Sequence, residues 1–292
     1  MLLVVLLCET LVEKAAVPSH LALRAAAALE SGSVYVDRGF LTSSDLSECR
    51  EAVATLNTRC ASNPGEVGRA DGRRLDTQQR ASSVLDLNSD RVWPFIPAPL
   101  LRTLREVESL RLGLACATSR PLMDDVELQL LTYARGGLYA RHVDDVQTPA
   151  ATATNQCRRS ISMLLYLTAQ DWRETDGGQL RIHAMGTHAA CVHEYLSGGM
   201  ARAAVGGHGD GYSTRTDGMR VLRSTTSLDV LPTGGTIVIF DSTTVPHEVM
   251  PTSRARSVLA AWLLERRERD PAPCENAPLT RVMRDYARLR PE

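Results

Sequence analysis

The sequence predicts an α+β fold in which helices come first and a jelly-roll-like barrel of antiparallel strands follows. Three observations support this prediction. Apolar residues recur at helical spacing in the first part of the chain, they alternate with the period of strands from Glu127 onward, and turn signals separate the strand-like runs. The chain of 292 residues is long enough for one large domain or two small ones with a substantial core.

The N-terminal part of the chain predicts a helical scaffold. Residues 18–60 begin with the helical pattern HLALRAAAALESG, pass through a short strand, VYVDRGF, and return to a helix in LTSSDLSECREAVATL, which Thr42 or Ser43 could cap. Residues 61–80 are rich in Asn, Gly, Asp and Arg, which predicts an exposed loop. A further helix is predicted at PLLRTLREVESLRLGLA.

The second part of the chain predicts six short strands. They are VELQLLTY, SISMLLYLTA, QLRIHAM, SLDVLPT, TIVIFDS and SVLAAWLLE. A long Gly- and His-containing insertion at 183–227 interrupts this rhythm, and loops of such length are typically lids or disordered segments. The predicted organisation is an N-terminal helical segment at 1–29, one catalytic domain at 30–268 with its core at about 125–265, and a C-terminal tail at 269–292.

Composition limits the partners and the compartment. A formal net charge of -1 gives no global field that would favour nucleic acid or an anionic membrane. The apolar start MLLVVLLCET has no preceding basic residues and is too short to span a bilayer, although a secretory route stays open. Seven cysteines without a C-x-x-C pair favour reduced thiols and a cytoplasmic or nuclear protein. The oligomeric state stays open.

A His-x-Asp pair stands out in YARGGLYARHVDD. In a strand His142 and Asp144 would share one face, whereas Asp145 would point away, so Asp144 is the expected ligand. A lone pair of this kind is more often a surface feature, but His247 supplies a third metal-capable group downstream. Two histidines and one carboxylate form the facial triad that holds non-haem Fe(II) with open positions. Arg256, nine residues later, suits a carboxylate ligand because its planar fork can bind both oxygens.

With these residues the chain resembles the Fe(II)/2-oxoglutarate dioxygenases of the prolyl 4-hydroxylase group, in particular the hypoxia-inducible-factor-type, cytoplasmic enzymes. The pattern Y-x-x-G-G-x-Y-x-x-H-x-D is met by Tyr133, Gly136, Gly137, Tyr139, His142 and Asp144. RRSISMLLYLTAQDW…GGQLRI is similar to the two following strands, and HEVMPTSRAR…W to the end of the core. The resemblance implies a double-stranded β-helix core of the jelly-roll or cupin type.

The resemblance also assigns roles to individual residues. His142, Asp144 and His247 match the iron ligands. Residues that bind 2-oxoglutarate or line its pocket are matched by Arg256, Tyr166 and Tyr133, and residues of the substrate groove by Tyr139, Arg159 and Trp262. The implied reaction is 4-hydroxylation of proline in a protein or peptide, with Fe(II), 2-oxoglutarate, O2 and L-ascorbate as cofactors or cosubstrates and with succinate and CO2 as products. Oxygen sensing is one use of such a reaction.

Two departures and three alternatives accompany this interpretation. Ala260 stands where the family often has a threonine, and the insertion at 183–227 is longer than the resemblance predicts. The substrate could instead be another side chain or a small molecule, or the barrel could be a non-catalytic peptide-binding module. A second metal site could form in the insertion from His183, His188, Cys191, His193 and His208, but their spacing matches no zinc motif. Arg254 is expected to be a surface charge.

Overall fold

The computed structural model describes residues 18–68, 73–145, 157–196, 211–214 and 219–266. Within these ranges there are three helices, α1 (His20–Glu30), α2 (Ser43–Arg59) and α3 (Ala98–Thr118). The strands are β1 (Val34–Asp37), β2 (Asn63–Pro64), β3 (Ser83–Asp86), β4 (Leu122–Tyr133), β5 (Tyr139–His142), β6 (Cys157–Tyr166), β7 (Leu180–His183), β8 (Ala190–Tyr195), β9 (Gly211–Thr214), β10 (Met219–Ser224), β11 (Ser227–Val230), β12 (Ile237–Asp241), β13 (His247–Val249) and β14 (Arg256–Arg266).

The helices begin where capping residues predict. Ser19 accepts a hydrogen bond from the backbone of Ala22 at the start of α1, and Thr42 accepts one from Asp45 at the start of α2. The predicted cap at Thr42 is therefore confirmed. Apolar faces of the three helices pack with one face of the large sheet in a single core cluster. The helices thus support the sheet from outside the barrel.

Two sheets form the double-stranded β-helix. The large sheet has the strand order β2-β3-β4-β14-β6-β12-β1-β8-β10-β9, and the small sheet has the order β11-β7-β13-β5. A second core cluster joins residues of both sheets, including Leu164 and Val238 of the large sheet and Ile182 of the small sheet. This cluster fills the barrel and lies beside the functional residues. All six predicted strands of the second half are present.

The prediction of a long loop at 183–227 is wrong for much of that stretch. Strand β8 pairs in parallel with β1, and β10 pairs antiparallel with β8, so both extend the large sheet. Alternate residues of β8 are buried, which is the pattern of a strand with one face on a core. The physical reason is that the edge of β1 needs a hydrogen-bonding partner, and this stretch supplies it. Residues 197–210 and 215–218 lie outside the described ranges.

Three further features were considered from the sequence: the state of the cysteines, the presence of membrane helices and the limits of the domain. Cys49, Cys60, Cys116 and Cys191 are free, whereas Cys157 is disulfide-bonded, so the expectation of reduced thiols is wrong at Cys157. In the part of the chain that the structure describes, no helix is both long and apolar enough to cross a membrane. The domain limits at 29/30 and 268/269 stay predictions, because residues 1–17 and 267–292 lie outside the described ranges.

Candidate active site

Three side chains with metal-ligating atoms meet inside the barrel. His142 ends β5, His247 begins β13, and the two residues face each other in the small sheet. Asp144 lies in a bend two residues after β5, with its Oδ1 3.5 Å from Nε2 of His142 and 3.9 Å from Nε2 of His247. The ligand atoms of the three residues all lie within 4.8 Å of one another, a separation that one metal ion can bridge.

The reason given for choosing Asp144 over Asp145 is wrong, although Asp144 is the acid in the cluster. Strand β5 ends at His142, so strand alternation does not reach either acid. Asp145 is buried and fastens the bend: its backbone N–H donates to the Ser242 carbonyl at 2.9 Å, and its Oδ2 accepts from the Arg159 backbone at 2.7 Å. The bend aims Asp144 at the histidines because Asp145 is held elsewhere.

Backbone carbonyls orient both imidazoles. Nδ1 of His142 lies 2.8 Å from the Ala140 carbonyl, and Nδ1 of His247 lies 3.0 Å from the Val245 carbonyl. Since a carbonyl can only accept, each Nδ1 carries the proton that it donates. Each Nε2 therefore presents a lone pair toward Asp144, which is the arrangement a metal-binding histidine needs.

Two serines that the sequence interpretation missed orient the carboxylate of Asp144. Ser162 on β6 donates its hydroxyl to Asp144 Oδ2 at 2.6 Å, and Ser242 after β12 lies 2.8 Å from the Ser162 hydroxyl. Both serines are fully buried. This contact directs Oδ2 toward Ser162, while Oδ1 is the oxygen that lies 3.5 and 3.9 Å from the two Nε2 atoms. The sequence signal for Ser162 is a serine between the apolar residues Ile161 and Met163.

The charges of the cluster suit a cation. Burial alone would raise the pKa of Asp144, but the neighbouring histidines hold that pKa well below its usual range, so the carboxylate is ionised. Burial, together with repulsion from His142, lowers the pKa of His247 to about 4 although Asp144 opposes the shift. The site therefore combines a carboxylate with a neutral imidazole at neutral pH, and no proton on His247 has to be displaced by a metal.

A second feature lies at the start of β14, on the face of the large sheet that points into the barrel. Arg256 is 1 % exposed, and its Nε and Nη2 have no hydrogen-bond partner among the described residues. The buried hydroxyl of Tyr166 likewise has none. The Arg256 guanidinium carbon lies 4.9 Å from the ring centre of Tyr133 and 5.0 Å from that of Tyr166. Unpartnered buried donors around one guanidinium form a cradle for an anionic group.

Aromatic and charged side chains lie near the candidate metal ligands. Tyr139 stacks on His142 with ring centres 3.6 Å apart. Arg159 forms an ion pair with Glu127, and its guanidinium carbon lies 3.9 Å above the ring of Trp262. Trp262 is 5 % exposed, so Arg159 covers it and presents the more accessible surface. Tyr139 therefore contacts His142, one of the candidate metal ligands. Arg159 on β6 packs over Trp262 on the neighbouring strand β14.

The other candidate charges do not join this site. Arg254 pairs with Asp171 and Asp176. His183 lies 3.1 Å from Glu248. Within the described ranges the only group of three or more metal-capable side chains is His142, Asp144 and His247, so no second metal site forms there, and His208 lies outside those ranges.

Comparisons with known proteins agree with the geometry. Residues 128–264 match the family described as the 2OG-Fe(II) oxygenase superfamily. A prolyl-4-hydroxylase of Pseudomonas putida is 22% identical with a TM-score of 0.55, and the match covers 84% of this chain and all (100%) of that one. A prolyl hydroxylase of Trichoplax adhaerens, solved with a hypoxia inducible factor peptide, is 17% identical with a TM-score of 0.54, and the match covers 84% of this chain and 89% of that one.

A different reaction occurs on the same fold. The non-haem alpha ketoglutarate dependent carbocyclase SnoK from nogalamycin biosynthesis is 13% identical with a TM-score of 0.51, and the match covers 85% of this chain and 84% of that one. At these identities the solved structures show the fold that they share with this chain. None of the curated proteins compared with the chain matches it.

Proposed function

Because residues 128–264 match the 2OG-Fe(II) oxygenase superfamily, we propose that the chain is a peptidyl-prolyl 4-hydroxylase. It would use Fe(II), 2-oxoglutarate and O2 and release succinate and CO2. The observation that carries the proposal is the pairing of two features inside one barrel: a two-His, one-carboxylate cluster and a buried arginine with unpartnered N–H groups. A metal site alone would not need Arg256 there.

Fe(II) fits the first feature. His142, Asp144 and His247 would hold the ion through Nε2, Oδ1 and Nε2, because the other polar atoms of these side chains already contact backbone carbonyls or Ser162. Three protein ligands leave positions open on an iron that accepts more. The task of these residues would be to hold the metal at one place inside the barrel.

The acid 2-oxoglutarate fits the second feature. Its distal carboxylate would accept hydrogen bonds from Nε and Nη2 of Arg256 and from the Tyr166 hydroxyl, which are the buried donors that have no partner among the described residues. Tyr133 would wall the pocket on the other side of the guanidinium. Bound iron and cosubstrate supply the oxidation, and the chain positions them and excludes water.

Three side chains near the candidate metal ligands suit a peptide substrate. Tyr139, Arg159 and Trp262 would form the groove for a proline-containing peptide, because they lie at or next to the metal cluster and Arg159 keeps an accessible surface. The complex of the Trichoplax enzyme with a hypoxia inducible factor peptide supports a peptide substrate here. An ascorbate requirement and oxygen sensing follow from the resemblance, and a cytoplasmic or nuclear location follows from the cysteine pattern; all three stay predictions.

A peptide library tests this proposal. Purified protein is incubated with Fe(II), 2-oxoglutarate, O2 and proline-containing peptides, and both peptide mass and succinate are measured. We expect a gain of one oxygen atom on proline, coupled to succinate release, in wild type and neither product in His247→Ala. Succinate release with no modified proline in any peptide would refute the prolyl assignment.

Two alternatives remain distinct outcomes of the same experiment. The carbocyclase with this fold shows that the scaffold also serves small molecules, so oxygen-dependent turnover of a small molecule in place of peptides would favour that class. A non-catalytic module would bind peptides with no succinate release. The complete cluster and the unpartnered Arg256 speak against such a module, because binding a peptide requires neither.

A further inference from the structure

A second buried guanidinium, that of Arg38, is not used by the functions described so far. Arg38 follows β1 and is 1 % exposed. Its Nε donates to Glu194 Oε1 at 2.5 Å, whereas its Nη1 and Nη2 have no hydrogen-bond partner among the described residues. Buried charged N–H groups without partners are costly, so this edge of Arg38 is suited to ligand oxygens.

Strand alternation places Arg38 on the inner face of the large sheet. Val34 and Val36 of β1 belong to the core cluster inside the barrel, and Arg38 continues their alternation. Its backbone N–H still pairs with the neighbouring strand, at the Tyr195 carbonyl. The side chain of Arg38 therefore faces the same interior as the candidate active site.

Arg38 and the Arg256 cradle lie at the same end of the sheet. Thr236, just before β12, continues the inward alternation of Val238, and its hydroxyl is buried with no partner among the described residues. Its carbonyl accepts the backbone N–H of Tyr166 at 2.9 Å. Strand β12 lies between β6 and β1, so Thr236 stands between Tyr166 and Arg38. The charge of Arg38 is close enough to lower the pKa of Tyr166, against the larger effect of burial.

Two buried guanidinium groups, those of Arg38 and Arg256, face this end of the barrel. Glu194 accepts from Arg38 Nε and from Arg220 Nη1 at 3.0 Å, so one carboxylate is shared between two arginines. A bound carboxylate would bring further negative charge to the buried guanidinium groups of Arg38 and Arg256.

We propose that Arg38 and Thr236 form the second half of the pocket for the distal carboxylate of the 2-oxo acid, opposite Arg256 and Tyr166. This inference rests on the proposed use of 2-oxoglutarate. It also gives the 183–227 stretch a role: Glu194 on β8 fixes the Nε edge of Arg38 and leaves the other edge for the ligand. The added strands would then serve cosubstrate binding.

Binding without turnover tests the proposal. 2-Oxoglutarate and 2-oxopentanoate, which has the same chain length but no distal carboxylate, are titrated by calorimetry into the full chain loaded with Mn(II). For Arg38→Met we expect 2-oxoglutarate affinity to fall roughly tenfold or more, the cost of a lost charge-assisted contact, while 2-oxopentanoate affinity is unchanged. A preference for 2-oxoglutarate equal to that of wild type would overturn the proposal.

Further variants separate a direct contact between Arg38 and the ligand from repulsion of the ligand by an unpaired Glu194. Arg38→Met leaves Glu194 without its Arg38 partner, so the double variant Arg38→Met/Glu194→Gln must show the same loss of affinity. Recovery of wild-type affinity in the double variant would mean that Arg38 only neutralises Glu194. Arg111→Met, at a buried arginine of α3 bonded to Glu108, controls for the general effect of losing a buried guanidinium.

Thr236→Val tests the pocket if the Arg38 variants do not fold. It removes only a hydroxyl and is expected to lower the preference for 2-oxoglutarate by roughly two- to tenfold; an unchanged preference would refute the proposed pocket.

The same titrations distinguish failure of this inference from failure of the proposed function. If wild type itself does not prefer 2-oxoglutarate over 2-oxopentanoate, the proposed function fails. If wild type prefers it and the variants do too, only the present inference fails.

Discussion

Replacing Arg256 by lysine should weaken 2-oxoglutarate binding and leave the metal bound. Arg256 is buried and offers Nε and Nη2, neither of which has a partner among the described residues. A carboxylate can accept both as a parallel pair, whereas lysine offers a single ammonium on a different geometry. Losing one arm of a charge-assisted pair costs about 1.5–3 kcal/mol, which is roughly a ten- to hundredfold loss of affinity.

Tyr166→Phe gives the companion measurement. It removes one neutral hydroxyl donor and no charge, so the expected cost is about 0.5–1.5 kcal/mol, or roughly a two- to tenfold loss of affinity. The hydroxyl is buried beside the Arg256 guanidinium, and no group among the described residues is placed to satisfy it as a hydrogen-bond partner. The order of effects, with Arg256→Lys larger than Tyr166→Phe, is part of the prediction.

The assay is calorimetric titration of 2-oxoglutarate into Mn(II)-loaded protein, with metal content measured separately. Arg254→Lys is the matched control, because Arg254 lies two residues from Arg256 but pairs with Asp171 and Asp176 near the surface. It should bind 2-oxoglutarate like wild type. Equal affinity in wild type, Arg256→Lys and Tyr166→Phe would refute the assignment of this pocket.

Further substitutions test the candidate metal ligands and the turn at Gly177. His247→Ala should lose bound Fe(II) in metal analysis, because two remaining ligands hold it too weakly. Asp144→Ala should lose it too, whereas Asp145→Ala should retain it and unfold at lower temperature; the reverse order of metal loss would contradict the geometry. Gly177→Ala should cost about 1–3 kcal/mol in denaturant unfolding, since φ is +70° and a Cβ would lie 2.2 Å from a backbone oxygen, while Gly186→Ala, in open space, should cost about 1 kcal/mol.

The sequence could predict the strands that build the barrel because their patterns are local. Strands β6, β12 and β14 are apolar runs bounded by turn signals, and the structure contains all three. The capping residue Thr42 is also readable, because a side chain that bonds a backbone N–H three residues later depends on near neighbours alone. Such features need no knowledge of the rest of the chain.

Features that depend on distant contacts could not be predicted in the same way. Asp144 and Asp145 are distinguished by bonds from Asp145 to Arg159 and Ser242, which come from other parts of the sheet. Strand alternation selected the acid that lies in the cluster, although β5 ends before it. The strands within 183–227 form because β8 pairs with β1, whose partner residues lie 158 positions earlier in the chain. Ser162 was missed because a single serine in an apolar strand has no pattern that reveals its partner.

We propose that this barrel couples the decarboxylation of 2-oxoglutarate to hydroxylation of a peptide proline. The most direct measurement is turnover of a proline-containing peptide under isotopically labelled oxygen gas, with the label followed by mass spectrometry. We expect one labelled oxygen atom in hydroxyproline and one in succinate, in equal amounts, from wild type and neither from Asp144→Ala. Labelled succinate accompanied by unmodified peptide, or peptide hydroxylation that carries oxygen from water, would contradict the claim.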